Sequence, residues 1–116
     1  MLAAPYQPRD ITENLPFDEQ FSGPHVDDGS KTVTSRNDAK GVPGDYFYRN
    51  GKKYVLDEVF ARRLGYVAEY LWKDEGARSP AEFREIWVRI YGRRHPGYVF
   101  NPDKIVYTHY FKQVAA

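Results

Sequence analysis

Alternating apolar and polar residues in the middle of the chain predict a β-hairpin. The alternation runs through Tyr46 to Arg49 and again through Lys52 to Phe60, which is typical of strands with one buried face. Between them, Asn50-Gly51 favours a two-residue turn, because both residue types tolerate the positive φ that such a turn requires. We therefore expect an antiparallel strand pair here.

Two later stretches have the three- and four-residue spacing of helices. The first runs from Leu64 to Trp72. The second starts at Ser79-Pro80-Ala81-Glu82, a capping box with proline at the first helical position, and ends at Gly92. Its apolar stripe comprises Phe83, Ile86, Trp87, Ile90 and Tyr91. This stripe predicts a helix that packs on a sheet, with Trp87 at the centre of the contact.

A strand from Ile105 to Lys112 follows the helices. Strands before and after helices predict an α+β fold, a small mixed β-barrel with flanking helices. Residues 1–29 hold four of the eight prolines and show little periodicity, so we assign them to an N-terminal arm and residues 30–116 to the domain. The arm is either a tail or a segment partly ordered against the barrel through Phe17 and Phe21.

The segment from Gly29 to Arg36 combines a glycine turn with a strand that carries two cations and four hydroxyls. Such groups suit contacts with phosphates and base edges. The same composition also fits a polar edge strand that resists aggregation.

Strict alternation divides this segment between two faces. Thr32, Thr34 and Arg36 share one face, and Ser35 lies on the other. Lys31 points away from Thr34 unless it lies in the turn before the strand or a bulge rotates it.

Composition excludes several classes of protein. A chain of 116 residues makes one domain, and the absence of cysteine removes disulfides, thiolate nucleophiles and thiolate zinc sites. The three histidines lack ligand spacing, so we expect neither metal nor cofactor. No apolar run reaches the length of a membrane span and no signal peptide is apparent, so we expect a cytoplasmic protein without a membrane partner.

The net charge of +1 conceals an uneven distribution. Residues 1–30 hold one cation and six acids, whereas residues 31–116 hold sixteen cations and ten acids. Three basic doublets, Lys52-Lys53, Arg62-Arg63 and Arg93-Arg94, lie among a total of ten tyrosines. Cations beside exposed rings bind unpaired bases, although a solvated charged surface has the same composition.

Several short motifs occur in a fixed order between about residue 17 and residue 113. They are the Gly-x-Lys-Thr-x-Thr-x-Arg segment at 29–36, Gly44-Asp45 before a strand, Glu75-Gly76 before a helix with a central Trp87, and a last strand that ends at Phe111. The ordered set resembles the ASCH family, a branch of the PUA-like β-barrels named for homology to a transcription coactivator. The chain departs from the family pattern at Gly23-Pro24 and at His109-Tyr110.

The resemblance implies candidate catalytic residues. One branch of the ASCH family deacetylates N4-acetylcytidine with a lysine, a threonine and a glutamate, which match Lys31, Thr34 and Glu75. A desolvated lysine can deprotonate a threonine hydroxyl for attack on an amide carbon, and a glutamate can pass a proton to the departing amine. As alternatives, Lys31 binds phosphate, Thr34 only pairs strands and Glu75 is an exposed acid.

Three functions remain open at this point. The first is an RNA- or modified-nucleoside-binding domain with a basic cleft, in which the ligand-binding residues are Thr32, Arg36, Arg93 and Arg94. The second is a small metal-independent hydrolase, either an N4-acetylcytidine amidohydrolase or a ribonuclease. The third is a protein-interaction module in transcription. We expect a monomer; a long basic surface would favour the first function, and a closed pocket with Lys31 near Thr34 would favour the second.

Overall fold

A curled four-stranded antiparallel sheet forms the centre of the protein in a computed structural model, which describes residues 5–115. The strands are β1 (Val33–Arg36), β2 (Tyr46–Arg49), β3 (Lys52–Arg63) and β4 (Ile105–Val114), in the spatial order β1-β4-β3-β2. The last strand of the chain is therefore central. With its helices, this half-barrel confirms the predicted α+β fold.

Three helices and a 3₁₀ turn complete the fold. The turn is Thr12–Asn14, and the helices are α1 (Gly23–Asp27), α2 (Leu64–Tyr70) and α3 (Pro80–Gly92). Within residues 5–115, no helix has both the length and the apolar character needed to cross a bilayer.

The predicted hairpin is present. Asn50 and Gly51 have φ values of 50° and 77°, and β2 pairs with the first part of β3 from Tyr46↔Val55 to Arg49↔Lys52. Beyond the predicted end at Phe60, β3 continues to Arg63 and leads directly into α2.

Helix α3 begins at the predicted cap, where the Ser79 hydroxyl accepts a hydrogen bond from the Glu82 N–H at 3.0 Å. The reciprocal half of the capping box is different. The Glu82 carboxylate accepts from the backbone and side chain of Arg78 instead of from the backbone of Ser79.

The apolar face of α3 packs mainly on α2. Phe83 and Trp87 are buried in a cluster that also contains Leu64, Val67, Ala68 and Val106. Only Val106 of this buried set belongs to the sheet, so α2 separates much of α3 from the strands. The indole N–H of Trp87 donates to the Tyr98 hydroxyl at 2.7 Å, which supplies the polar partner that a buried tryptophan needs.

The N-terminal segment, which is the described part of the arm (residues 5–29), contributes to a second core cluster. Its buried members are Ile11, Leu15, Val26, Phe47, Tyr54, Leu56 and Phe111. Phe17 packs against Phe47 and Phe111, with ring centroids 5.5 and 6.1 Å apart. The segment also covers the outer edge of β2, since backbone hydrogen bonds join Tyr46 to Arg9 and Ile11.

Truncation of Trp87 tests the packing of α3. Trp87→Ala should lower the free energy of unfolding by about 3–5 kcal/mol, because it removes a buried aromatic side chain from the α2–α3 contact. Chemical denaturation measures this loss. Tyr98→Phe is the matched control: it removes only the acceptor of the indole N–H and should cost about 1–3 kcal/mol. Equal stability of Trp87→Ala and the unaltered protein would contradict the packing described here.

Candidate functional site

A cavity lies between β1, α3 and the N-terminal segment. Its interior volume is about 140 Å³, and the cavity is open to solvent at its mouth. One wall is polar and comes from Lys31, residues 34–36 and residues 75–77. The opposite wall is the apolar stripe of α3, and residues 16–25 close a third side.

A buried ion pair forms the base of the polar wall. Lys31 Nζ lies 2.7 Å from Glu75 Oε1 and 3.0 Å from the Glu75 carbonyl oxygen. The side chains are only 4% and 5% exposed. Burial lowers the pKa of Lys31, and the adjacent Glu75 carboxylate opposes that shift. The amine is therefore easier to deprotonate than a surface lysine, although a carboxylate holds it.

Backbone contacts explain how Glu75 reaches β1. The Asp74 carbonyl accepts hydrogen bonds from the N–H groups of Thr32 and Val33 at 2.8 and 3.1 Å, so the segment before α3 runs along the outer edge of β1. Gly76 follows with a φ of 93°, and a Cβ there would lie 3.0 Å from His25 and 3.2 Å from Lys31. Both the backbone conformation and the close neighbours therefore explain why a glycine follows Glu75.

Ser35 is the second partner of the Glu75 carboxylate. Its hydroxyl donates to Glu75 Oε2 at 2.7 Å and lies 3.0 Å from the Thr108 hydroxyl. Sequence analysis did not select Ser35 because alternation placed it opposite Thr34. β1 is an edge strand, and side chains from both of its faces line the cavity beyond that edge.

Thr34 and Arg36 also line the cavity. The Thr34 hydroxyl accepts a hydrogen bond from Arg36 Nε at 3.1 Å, and burial lowers the pKa of Arg36 from its ordinary value. Lys31 precedes β1, which is one of the two arrangements that a shared site requires. Lys31, Thr34 and Glu75 thus line one cavity, but within residues 5–115 no direct hydrogen bond joins Lys31 to the Thr34 hydroxyl.

The other predicted ligand-binding residues lie outside the cavity lining. Thr32 is exposed at the start of β1. Arg93 pairs with Asp18 at 2.5 Å and lies over the Phe21 ring, so it ties the N-terminal segment to the end of α3. Arg94 is exposed beside it.

The apolar wall was not recognised from the sequence as part of a site. Phe83, Ile86, Trp87, Ile90 and Tyr91 all line the cavity. Trp87 and Tyr91 are stacked with ring centroids 4.3 Å apart. The width of the stripe was the signal in the sequence that could have indicated a cavity wall. Part of the stripe packs on α2, and the remainder faces the open space of the cavity.

His109 supports the site from the central strand. Its Nδ1 lies 3.0 Å from the Thr34 carbonyl oxygen and its Nε2 accepts from the Lys40 N–H at 2.9 Å, an arrangement that requires a neutral ring with the proton on Nδ1. Burial lowers the pKa of His109 and favours the same state. Among residues 5–115, no three histidine, aspartate or glutamate side chains are grouped as metal ligands.

Solved structures share this architecture. An ASCH domain from Lactobacillus crispatus JV V101 aligns over 93% of this chain and 80% of its own, with a TM-score of 0.69 and 15% identity. Protein EF3133 from Enterococcus faecalis V583, of family DUF984, aligns over 97% and 83%, with a TM-score of 0.61 and 18% identity. The hypothetical protein PH0355 aligns over 93% and 100%, with a TM-score of 0.62 and 14% identity.

No family model matches the chain, and no curated protein matches it at a significant level. The structural likeness therefore carries the comparison, and at these identities it establishes the fold. The protein has the fold of the solved ASCH domain, as the order of its sequence motifs predicted.

The buried ion pair is expected to behave as a unit. Glu75→Leu should lower the free energy of unfolding by about 3–5 kcal/mol, because it leaves the Lys31 ammonium buried without a counter-charge. Adding Lys31→Met should restore much of that loss, since a buried pair can often be replaced by apolar residues of similar volume. Denaturation of both variants measures the difference. A double variant less stable than Glu75→Leu would contradict this account.

The His109 ring predicts a pH dependence of stability. Its folded pKa lies below the unfolded value of about 6.5, so the unfolded chain binds the proton first as the pH falls. The free energy of unfolding should decrease below about pH 6.5, by at most about 1.4 kcal/mol per pH unit from this group. His109→Gln should flatten the profile in that range. Identical profiles for His109→Gln and the unaltered protein would contradict the assignment.

Proposed function

We propose that the cavity binds one unpaired nucleobase, presented as a free or modified nucleoside or within single-stranded RNA. The observation that carries this proposal is that one cavity has an apolar wall and a polar wall. One wall is aromatic and aliphatic, and the other presents hydroxyls, a carboxylate and a guanidinium.

The chemistry of a nucleobase matches both walls. Its planar face is apolar enough to lie against Trp87, Tyr91 and the neighbouring isoleucines, and aromatic side chains commonly stack on unpaired bases. Its edge carries donors and acceptors that the groups of Thr34, Ser35 and Arg36 could meet. Buried polar groups also discriminate strongly against a ligand that leaves them unpaired.

The distribution of charge favours a small or short ligand. Many surface cations are paired with acids of this chain: Arg49 with Glu19 and Asp27, Arg84 with Glu69, Arg89 with Glu85, and Arg93 with Asp18. A long RNA would have to compete with these ion pairs, whereas a nucleoside in the cavity would not. The paired cations thus favour recognition of one base over tracking of an extended backbone.

Two threonines provide a matched test of binding. Thr34→Val removes a hydroxyl inside the cavity, and Thr32→Val removes one outside it at nearly constant shape. Calorimetric titration with cytidine, N4-acetylcytidine, uridine and adenosine should detect binding of at least one nucleoside by the unaltered protein. Thr34→Val should weaken that binding about tenfold and Thr32→Val should not, because an unpaired buried group costs about 1–3 kcal/mol.

The salt dependence of the affinity distinguishes single-stranded RNA from a free nucleoside as the ligand. If the ligand is single-stranded RNA, its affinity should fall steeply as salt increases, because phosphate contacts release counterions, and Arg94→Glu should weaken it. Binding of a free nucleoside should change little under either condition. Absence of binding to every nucleoside and to RNA at low salt would exclude the proposal.

A second candidate function is hydrolysis of an N4-acylated cytidine. It is favoured by the presence of Lys31, Thr34 and Glu75 around one cavity and by the lowered pKa of Lys31. Lys31 would first pass a proton to Glu75 and, as a neutral amine, take the Thr34 proton. The oxygen would then attack the acyl carbon, and Glu75 would give its proton to the leaving cytidine amine. Water would then release acetate and restore Thr34.

Turnover decides between binding and catalysis. If the protein is a hydrolase, N4-acetylcytidine should be converted to cytidine and acetate, and Thr34→Val should abolish the conversion while Thr32→Val retains it. Chromatography of the products measures both. Binding of the nucleoside by the unaltered protein without turnover would assign Lys31 and Thr34 to ligand binding alone.

A further inference from the structure

The outer edge of β3 is uncovered over residues 57–63. β2 pairs only with Lys52 to Val55, and two backbone hydrogen bonds between Leu56 and the Gly44-Asp45 segment extend the cover by one residue. Beyond Leu56, no residue within 5–115 outside β3 and β4 hydrogen-bonds to the backbone of this stretch. A strand edge in this condition can pair with another strand.

Other segments of this chain cover the edges of β2 and β1. The N-terminal segment bonds to the edge of β2 through Tyr46, and Asp74 bonds to the start of β1. The free stretch of β3 therefore contrasts with edges that this chain covers itself. Its side chains are also accessible, and Phe60 is 44% exposed.

The charges of the uncovered stretch are self-complementary. It reads Asp57-Glu58-Val59-Phe60-Ala61-Arg62-Arg63, with two acids at one end, two bases at the other and Phe60 in the middle. An antiparallel copy centred on Phe60 places Glu58 opposite Arg62, and Asp57 opposite Arg63. A parallel copy in the same register would instead place like charges together, which is destabilising.

We propose that this edge pairs with the same edge of a second copy of the chain, so that two four-stranded sheets join into one across a two-fold axis. This arrangement replaces the monomer that we expected from the sequence. Cross-strand pairs of opposite charge and an aromatic pair at Phe60 would stabilise the contact, and backbone hydrogen bonds would satisfy the free edge. The proposal is independent of what the cavity binds.

Arg62 adds a second observation. Its guanidinium lies over the rings of Phe60, Tyr66 and Tyr110, and one terminal nitrogen donates to the Tyr110 hydroxyl at 3.0 Å. Its Nε is buried without a hydrogen-bond partner. The rings and the Tyr110 hydroxyl thus hold the positive charge in place, opposite the position where Glu58 of a second copy would lie.

The paired arrangement leaves the cavity open. The cavity lies beyond β1, whereas the free stretch belongs to β3 and β4 separates the two strands. Residues 57–63 are absent from the cavity lining. Each copy would therefore keep a separate site facing away from the shared sheet edge.

Charge exchange tests the proposal. The unaltered chain should show a mass that rises from monomer to dimer with concentration in sedimentation equilibrium. Glu58→Arg and Arg62→Glu should each raise the dimer dissociation constant about tenfold or more, because each faces like charges across its own two-fold axis. An equimolar mixture of the two variants should dimerise again, since every charged position 58 then faces an opposite charge at position 62.

Glu58 is exposed, and among residues 5–115 no ion pair or side-chain hydrogen bond holds it, so Glu58→Arg should retain the fold. Glu13→Arg makes the same charge change on an exposed residue away from β3 and should dimerise as the unaltered chain does. Thermal melting checks that each variant is folded. A protein that stays monomeric up to about 1 mM, or a Glu58→Arg variant that dimerises normally, would overturn the proposal.

Discussion

The buried pair of Lys31 and Glu75 is the interaction on which the site depends. It joins the residue that precedes β1 to the segment that precedes α3, two parts of the chain that are 44 positions apart. Neither charge could remain in this environment alone, because desolvation of an unpaired ion outweighs what neighbouring packing returns. The ion pair therefore holds together the two segments that form the polar wall of the cavity.

Hydrogen bonds to carboxylates also fix the N-terminal segment. Asp45 is fully buried and accepts bonds from the Tyr6 hydroxyl, from the N–H groups of Arg9 and Val42, and from the Arg9 side chain. Burial alone would raise the pKa of Asp45, but these bonds outweigh it and lower the pKa. Because residues 16–25 close one side of the cavity, the position of this segment also determines what can enter.

The features that could be predicted from the sequence are those that depend on residues close together in the chain. The Asn50-Gly51 turn and the Ser79 cap are local, and both are present. The roles of Ser35 and Tyr98 were missed, because each depends on a partner distant in sequence that no period reveals. Alternation correctly placed Ser35 opposite Thr34, but it could not show that the Glu75 carboxylate would lie on the Ser35 side of β1. The apolar stripe of α3 was assigned wholly to packing because a pattern of apolar residues does not distinguish a core contact from a cavity wall.

The central position of β4 has a consequence for biosynthesis. β1 and β3 do not pair with each other, and β1 is joined to the β2–β3 hairpin only through β4. During translation, β1 and β3 must therefore keep their inner edges unpaired until β4 has left the ribosome. Such long-range pairing folds slowly and exposes strand edges to other chains. The inner edges of β1 and β3 therefore stay open for longer than in a domain whose central strand is made first.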